Sequence, residues 1–167
     1  MTGITAYDGK TGWKIEPWGG RRDPEALGEE ELKGILEDAD FDGPLVNSKQ
    51  KGYAVKYLGT DPVEGTDAYK LEVKLTSDDI WTFYMDMDYY VPIKIEIKRS
   101  VRGEAREYEI ALGDYKEVNG WFMPFSLESK GKGESSGGKT TYEKIEANVL
   151  LDDGRFRQPS VSGQPGK

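Results

Sequence analysis

Cysteine and histidine are both absent from the chain. Without cysteine there can be no disulfide, no thiolate nucleophile and no Cys-based metal site. Without histidine the chain lacks the commonest general base, the commonest zinc ligand and any Ser-His-Asp triad. Long apolar runs are also missing, and none approaches the roughly 18 residues that a transmembrane helix needs. We therefore expect no enzyme, no catalytic residue, no metal, no cofactor and no transmembrane segment.

Acidic residues outnumber basic ones, 31 to 23. The formal net charge is −8 over 167 residues, whereas a nucleic-acid binder needs a basic patch to displace counterions. We expect no nucleic-acid partner, and we interpret the neighbouring Lys94, Lys98, Arg99 and Arg102 as a solvated strand face. The first residues lack the basic and apolar segments of a signal peptide. That predicts either a cytoplasmic protein or a chain that begins after a removed segment.

Alternation of apolar and polar residues dominates from residue 53 onward. A period of two places the apolar side chains of a strand on one face. Short turns such as Asn119-Gly120, whose residues tolerate positive φ, predict antiparallel neighbours. The predicted strands cover residues 53–57, 69–75, 81–85, 91–97, 108–112, 121–127 and 143–149, with turns at 59–62, 77–79 and 102–103 and a Gly- and Ser-rich loop at 130–139.

The first fifty residues have a different pattern. Residues 7–17 predict a short hairpin around Asp8-Gly9. Asp23 and Pro24 predict the N-cap and first position of a helix. The helix would show one apolar face, formed by Leu32, Ile35, Leu36 and Ala39. We predict one β domain over residues 1–153 and a flexible tail, rich in Pro, Gly, Ser and Gln, over residues 154–167.

Aromatic residues are plentiful on the alternating strands, and the chain has four Trp, ten Tyr and five Phe. One short helix is too narrow to cover such a sheet. Ordinary core packing is one interpretation; otherwise the sheet curls on itself, encloses a cavity or meets a partner. The predicted apolar cavity is lined by Trp13, Ile15, Trp81, Phe83, Met85, Trp121, Met123 and Phe125, and the predicted inner face of a lid by Leu32, Ile35 and Leu36.

Three patterns resemble functional motifs. Residues 133–140 match the spacing of a phosphate-binding loop, but the preceding run alternates and too few residues follow Thr140, so we interpret them as a loop. Residues 38–43 match the start of a calcium loop, but Lys49 stands where the bidentate Glu belongs. We favour an Asp-rich turn there and leave calcium binding open. Glu107 and Glu109 are predicted to be solvated, with ordinary pKa values.

Several segments resemble bacterial outer-membrane lipoprotein-sorting proteins of the LolA/LolB-like superfamily. They are residues 8–13, 39–45, 81–94, 114–128 and 145–149, with Phe156 and Pro159. The resemblance implies a mainly β fold, either a curved antiparallel sheet or an incomplete, half-open β-barrel, with one short helix as a lid over a concave apolar face. It also implies binding of lipoprotein acyl chains and a periplasmic location.

Members of that superfamily usually carry additional N-terminal strands and a helix before the segment that matches Asp8. We therefore expect this chain to lack their N-terminal part. The arginine that controls the lid in the best-known carrier has no matching position here, so its role is not transferred to Arg21 or Arg22.

The leading functional hypothesis is a periplasmic carrier of lipid or lipoprotein acyl chains. Its affinity would come from burial of methylenes, at roughly 0.8 kcal/mol each. The alternative is a protein–protein interaction module of the cell envelope, with no small-molecule ligand and an envelope protein as partner. A hydrolase is the third hypothesis, and it requires an Asp or Glu base with a raised pKa.

Overall fold

The computed structural model describes residues 2–18, 23–101 and 103–160. By its internal contacts the chain divides into two compact units. The first unit comprises Met1–Gly43 and Val149–Lys167, and the second comprises Pro44–Asn148. Within the described ranges, no helix has the length and apolarity needed to cross a membrane. The single domain over residues 1–153 and the flexible tail stay predictions, and residues 161–167 of that tail lie outside the described residues.

The first unit contains a small antiparallel sheet of three strands: β1 (Ile4–Tyr7), β2 (Gly12–Ile15) and β3 (Glu25–Ala26). The predicted hairpin around Asp8-Gly9 is confirmed, but its first strand begins at Ile4 and its second ends at Ile15. Its turn is held by Asp8 Oδ1, which accepts hydrogen bonds from the backbone N–H groups of Lys10 at 2.9 Å and Thr11 at 2.7 Å. Backbone hydrogen bonds from Thr11 and Lys10 hold the pKa of Asp8 below its ordinary value.

Helix α1 spans Glu29–Ala39, so the predicted helix start at Asp23 and Pro24 is wrong. Glu25 and Ala26 pair instead with Lys14 and Trp13 of β2, because that ladder satisfies their backbone groups. The helix begins after Gly28, whose N–H donates to the Glu31 carboxylate at 3.0 Å. Three acidic residues in the first turn complement the positive end of the helix dipole.

Trp13 forms the buried centre of the first unit. Its Nε1 donates a hydrogen bond of 2.7 Å to the carbonyl oxygen of Phe156, which lies in a 3₁₀ helix at Asp153–Phe156. Beside it, a Cβ on Gly12 would lie 2.6 Å from Leu27 Cδ1 and 3.1 Å from Leu32 Cδ1. Gly12 therefore lets these two leucines pack directly on strand β2.

The second unit is one antiparallel sheet of seven strands in sequential order from β4 to β10. The sheet is not closed into a barrel, because β4 and β10 are its two edges. The mainly β prediction of a curved antiparallel sheet with one helix is confirmed. The strands are β4 (Ala54–Val63), β5 (Thr66–Lys74), β6 (Ile80–Asp86), β7 (Pro92–Val101), β8 (Glu104–Val118), β9 (Trp121–Gly131) and β10 (Gly138–Thr141).

The turn predicted at residues 59–62 is wrong, because β4 continues through it to Val63. The register against β5 shifts between Tyr57 and Gly59, where Gly59 adopts a φ of +100°. An edge strand tolerates both this bulge and a proline. The real turn is Glu64-Gly65, where both residues have positive φ. The predicted Asn119-Gly120 turn is confirmed, with φ values of 51° and 86°.

The predicted last strand at residues 143–149 is also wrong. Those residues are irregular, and the last strand within the described residues is β10 at Gly138–Thr141, within and just after the predicted loop. The pairing of Lys139 with Glu128 brings their side chains together in an ion pair of 2.6 Å. A cross-strand charge pair thus supports β10 in place of an apolar side chain.

Register gives the seven-stranded sheet two chemically distinct faces. On the apolar face, Leu71, Phe83, Ile95 and Ile110 form one cross-strand row, and Val73, Trp81, Ile97 and Tyr108 form the next. On the polar face, charged residues alternate with a few aromatic or small ones, in the rows Lys70, Tyr84, Lys94, Ala111 and Glu72, Thr82, Glu96, Glu109.

Candidate functional site

Six of the eight predicted cavity residues lie on the apolar face. Trp81, Phe83 and Met85 alternate along β6 in register with the apolar rows of β5 and β7. Leu112 of β8 pairs with Leu127 of β9, and alternation from Leu127 places Phe125, Met123 and Trp121 on the same face. The other two, Trp13 and Ile15, belong to β2 of the first unit.

The centre of the apolar face is a packed core. Its buried cluster consists of Val73, Leu75, Phe83, Ile95 and Ile97. Phe83 is only 5% exposed. From outside the sheet, Leu45 and Tyr53 pack against this cluster. Leu45 lies within a segment of consecutive turns, residues 41–52, and Tyr53 directly follows that segment.

One end of the apolar face, at the β8–β9 turn, is open. Trp121 is 74% exposed and Met123 is half-buried. Phe125 is buried, and the ammonium group of Lys116 lies 4.4 Å from the centroid of its ring. Lys116 pairs in register with Met123, and its Nζ lies 2.8 Å from the carboxylate of Asp114. The open end therefore combines apolar side chains with one ion pair.

The indole N–H of Trp81 is a polar group that lies within the apolar face. Its Nε1 is buried, and no acceptor among the described residues lies within hydrogen-bonding distance. The ring stacks on Phe83, with centroids 6.1 Å apart. A buried donor without an acceptor costs about 1–3 kcal/mol. A ligand with an acceptor atom at this position would remove that cost.

The predicted lid residues lie on α1. Leu32 and Ile35 are half-buried, and Leu36 is exposed. Leu32 approaches Gly12 of the three-stranded sheet within the first unit. The described contacts thus assign Leu32 to the packing of its own unit, and lid closure stays a prediction.

A groove of about 910 Å³ lies on the polar face of the seven-stranded sheet. It reaches from Asp61 of β4 across the sheet to Lys139 of β10. None of the eight predicted cavity residues lines it. At its floor Tyr84 is buried, with the ammonium groups of Lys70 and Lys94 at 5.0 and 5.1 Å from its ring centroid.

The charges of the polar face are paired with one another. Glu96 and Glu109 are directly opposite across β7 and β8, an arrangement that is repulsive by itself. Lys94 lies between them, with Nζ 2.7 Å from Glu96 and 3.2 Å from Glu109. Burial alone would raise the pKa of Glu109, but hydrogen bonds and charge from Lys94 and Lys130 outweigh it and lower that pKa. Hydrogen bonds from Lys132 and Lys98 likewise lower the pKa of Glu107.

The prediction of ordinary pKa values for Glu107 and Glu109 is therefore wrong, because lysines on neighbouring strands hold their charged forms. A carboxylate whose pKa is lower in the folded state stabilises the fold above its unfolded pKa of about 4.3. That stability is lost as the pH falls through the folded pKa. Such pairs describe a charge-compensated surface and not a general acid or base poised near neutral pH.

Low pH should weaken the lysine–glutamate pairs of the polar face and so lower the stability of the fold. We expect the free energy of unfolding to fall as the pH is lowered from about 5 to 3, and Glu109→Gln to show a shallower fall. Urea unfolding at several pH values measures both. In 1 M NaCl the wild-type dependence should shrink, since salt screens partly exposed pairs. An unchanged slope in Glu109→Gln contradicts the assignment.

The two segments that resemble a phosphate-binding loop and a calcium loop form ordinary turns, a strand and a helix end. Residues 133–140 comprise a turn and the start of edge strand β10. Because this strand stands where a phosphate-binding loop requires a helix, no helix N-terminus directly follows the loop to hold phosphates. Residues 38 and 39 end α1, and Asp40 is its C-cap. Across residues 2–18, 23–101 and 103–160, no group of three or more acidic side chains is arranged to hold a metal ion.

Comparison with known proteins identifies the fold. No family model and no curated protein matches the sequence. Three solved structures do resemble the chain, at 13–17% identity. A domain named for outer membrane lipoprotein sorting, from Vibrio parahaemolyticus, matches with a TM-score of 0.60 and 16% identity over 87% of this chain. The chain spans 63% of that protein.

The two other structures agree. A DUF1329 family protein from Desulfovibrio piger matches with a TM-score of 0.63 and 13% identity, over 93% of this chain and 68% of its own. A LolA superfamily protein from Nitrosomonas europaea matches with a TM-score of 0.55 and 17% identity, over 89% of this chain and 67% of that protein's chain. The chain therefore has a LolA-like fold, as the segment resemblance predicted.

Proposed function

We propose that this LolA-like chain binds lipid or lipoprotein acyl chains in the bacterial periplasm, on the apolar face of its seven-stranded sheet. The observation that carries the proposal is the continuity of that face. It extends from the packed rows of β5 to β8 to exposed Trp121, without a charged residue in its two central rows. The printed names of two solved relatives, which refer to lipoprotein sorting and to LolA, support the same class of ligand.

Acyl chains would enter at the open end of the apolar face. From Trp121, the apolar face continues inward along β9 through Met123 and Phe125. Extension toward Phe83 requires displacement of Leu45 and Tyr53, which pack there now. Burying a side chain of this size contributes about 1.5–3 kcal/mol, whereas each ligand methylene contributes about 0.8 kcal/mol. A chain of a dozen or more methylenes therefore outweighs the two side chains it displaces.

Polar groups on the apolar face fit the head of such a ligand. Lys116 stands beside Met123 at the open end, and a carboxylate or phosphate of the ligand would take the place of Asp114, which is 2.8 Å from its Nζ. Trp81 Nε1 is a buried donor that an ester carbonyl oxygen could satisfy. We propose binding without catalysis, since the carboxylate pKa values shifted in the described residues are lowered and not raised.

A matched pair of substitutions tests the proposal. Trp121 and Phe122 are adjacent and both exposed, but register places Phe122 on the opposite face, across from Glu117. Trp121→Glu should weaken binding of a fluorescent fatty acid about tenfold, because it places a charge where the chain enters, while Phe122→Glu should change it less than twofold. Displacement of the probe by palmitate measures both. Equal affinities in the two variants contradict the proposal.

The protein–protein module is the second candidate, favoured by the dense packing around Phe83. It predicts self-association, or capture of an envelope protein, that persists when fatty acid is added. Analytical ultracentrifugation with and without palmitate separates the two functions. If the protein is a carrier, self-association through the apolar face should be lost once the fatty acid covers that face.

A further inference from the structure

Exposed aromatic rings are concentrated at one end of the seven-stranded sheet. We define the aromatic rim as the exposed rings of Tyr89, Tyr90, Trp121 and Phe122 together with the half-buried ring of Tyr69. The β6–β7 and β8–β9 turns lie at the same end, because consecutive strands of an antiparallel sheet reverse direction. Tyr89 and Tyr90 lie in the first of these turns, and Trp121 and Phe122 follow the second.

The rings of the aromatic rim contact one another across strands. Tyr90 stacks on Tyr69 with centroids 6.2 Å apart. Tyr89 meets Phe122 edge-on at 6.3 Å. Despite these contacts, Tyr89 and Tyr90 remain 69% and 67% exposed. The aromatic rim is thus an organised surface that faces water.

The backbone of the β6–β7 turn holds two of these rings outward. Asp86 Oδ1 accepts hydrogen bonds from the N–H groups of Asp88 at 2.9 Å and Tyr89 at 2.7 Å. Tyr90 adopts a φ of +56°, a conformation that bulky L residues rarely occupy and glycine adopts freely. Folding alone favours glycine at this position. The strained, exposed tyrosine there points to a role in contact with a partner.

We propose that the aromatic rim docks this chain on the surface of an electrically neutral phospholipid membrane. Tyr and Trp are the side chains that favour the membrane–water interface, because each ring has an apolar body and a polar tip. The charges around the aromatic rim determine whether it can approach a neutral or an anionic lipid surface. Asp86, Asp88 and Glu117 lie among or beside the rings, and the whole chain carries −8. An anionic surface repels this arrangement, whereas a zwitterionic one does not.

Cosedimentation with vesicles tests the docking. Vesicles of pure phosphatidylcholine are compared with vesicles of equal parts phosphatidylcholine and phosphatidylglycerol. We expect the wild-type chain to bind the neutral vesicles at least as well as the anionic ones, and 0.5 M NaCl to leave neutral binding unchanged. The triple variant Tyr89→Ser/Tyr90→Gly/Phe122→Ser should bind neutral vesicles at least tenfold more weakly.

Two controls make the result specific. Phe41→Ser/Leu150→Ser removes exposed apolar side chains of the first unit and should leave vesicle binding unchanged. The triple variant should keep its affinity for soluble fluorescent fatty acid within twofold, so that loss of docking is distinguished from loss of acyl binding. Its thermal unfolding should match the wild type, since glycine relieves the φ of Tyr90.

Several results would overturn the docking proposal. They are absence of wild-type binding to both kinds of vesicle, binding to anionic vesicles alone, equal binding by the triple variant, and equal loss in the Phe41→Ser/Leu150→Ser control.

Discussion

Replacing Phe83 with alanine is expected to lower the free energy of unfolding of the second unit by about 3–5 kcal/mol. Phe83 is buried in the cluster with Val73, Ile95 and Ile97, and its removal leaves a cavity that strands β5 to β7 cannot close. Urea unfolding followed by circular dichroism measures the change. A loss of this size is a large part of the stability of a domain this small.

The control for Phe83 is the same substitution at Phe122. Phe122 is 53% exposed and contacts Tyr89, so Phe122→Ala should cost less than about 1 kcal/mol. If Phe83→Ala costs no more than Phe122→Ala, the apolar face is not packed as described. The apolar face would then be open to a ligand along the whole length of the sheet.

Replacing Trp13 with alanine should have a comparable effect on the first unit, about 3–5 kcal/mol. The indole fills the centre of that unit, and its N–H holds the carbonyl oxygen of Phe156 at 2.7 Å. Hydrogen exchange is the appropriate measurement, because it reports the stability of each unit separately. Amides of β1 and β2 should lose protection, whereas amides of β6 and β7 should keep it.

Trp13→Phe separates packing from hydrogen bonding. It keeps an aromatic ring but removes the donor to Phe156, so we expect a smaller loss of about 1–2 kcal/mol, centred on the 3₁₀ helix at Asp153–Phe156. If Trp13→Ala leaves β1 and β2 fully protected, the indole does not organise this unit. Equal loss of protection in β6 and β7 would show instead that the two units unfold together.

The sequence was sufficient to identify the apolar face. Period-two alternation through Trp81, Phe83 and Met85, and again through Trp121, Met123 and Phe125, needs only local geometry, and register confirms that the two sets share a face. The short Asn119-Gly120 turn was also predictable, since it follows from the conformational preferences of two residues.

Features that depend on tertiary position were not predictable in the same way. Pro62 looked like a turn residue, but an edge strand accommodates it because one row of backbone groups has no partner strand. Strand β10 shows no apolar alternation; its four residues are exposed and pair with β9, with Lys139 opposite Glu128. Lys116 was missed because the apolar run stops at Leu112, although β8 continues to Val118.

The lowered carboxylate pKa values depend on the same kind of information. Each charge along β7 and β8 looked solvated in isolation. Only cross-strand register shows that Lys94 lies between Glu96 and Glu109, and that the groove on the polar face is lined by such pairs. Sequence alternation assigns a side chain to a face, but it cannot name the neighbours on other strands.

Photolabelling with a diazirine analogue of palmitate tests most directly which face holds acyl chains. We expect the label on Trp121, Met123 and the adjoining apolar residues of β8 and β9, with competition by unlabelled palmitate. Label confined to Asp61, Lys94 or Lys139 of the polar groove, or label that palmitate does not reduce, would contradict acyl binding on the apolar face.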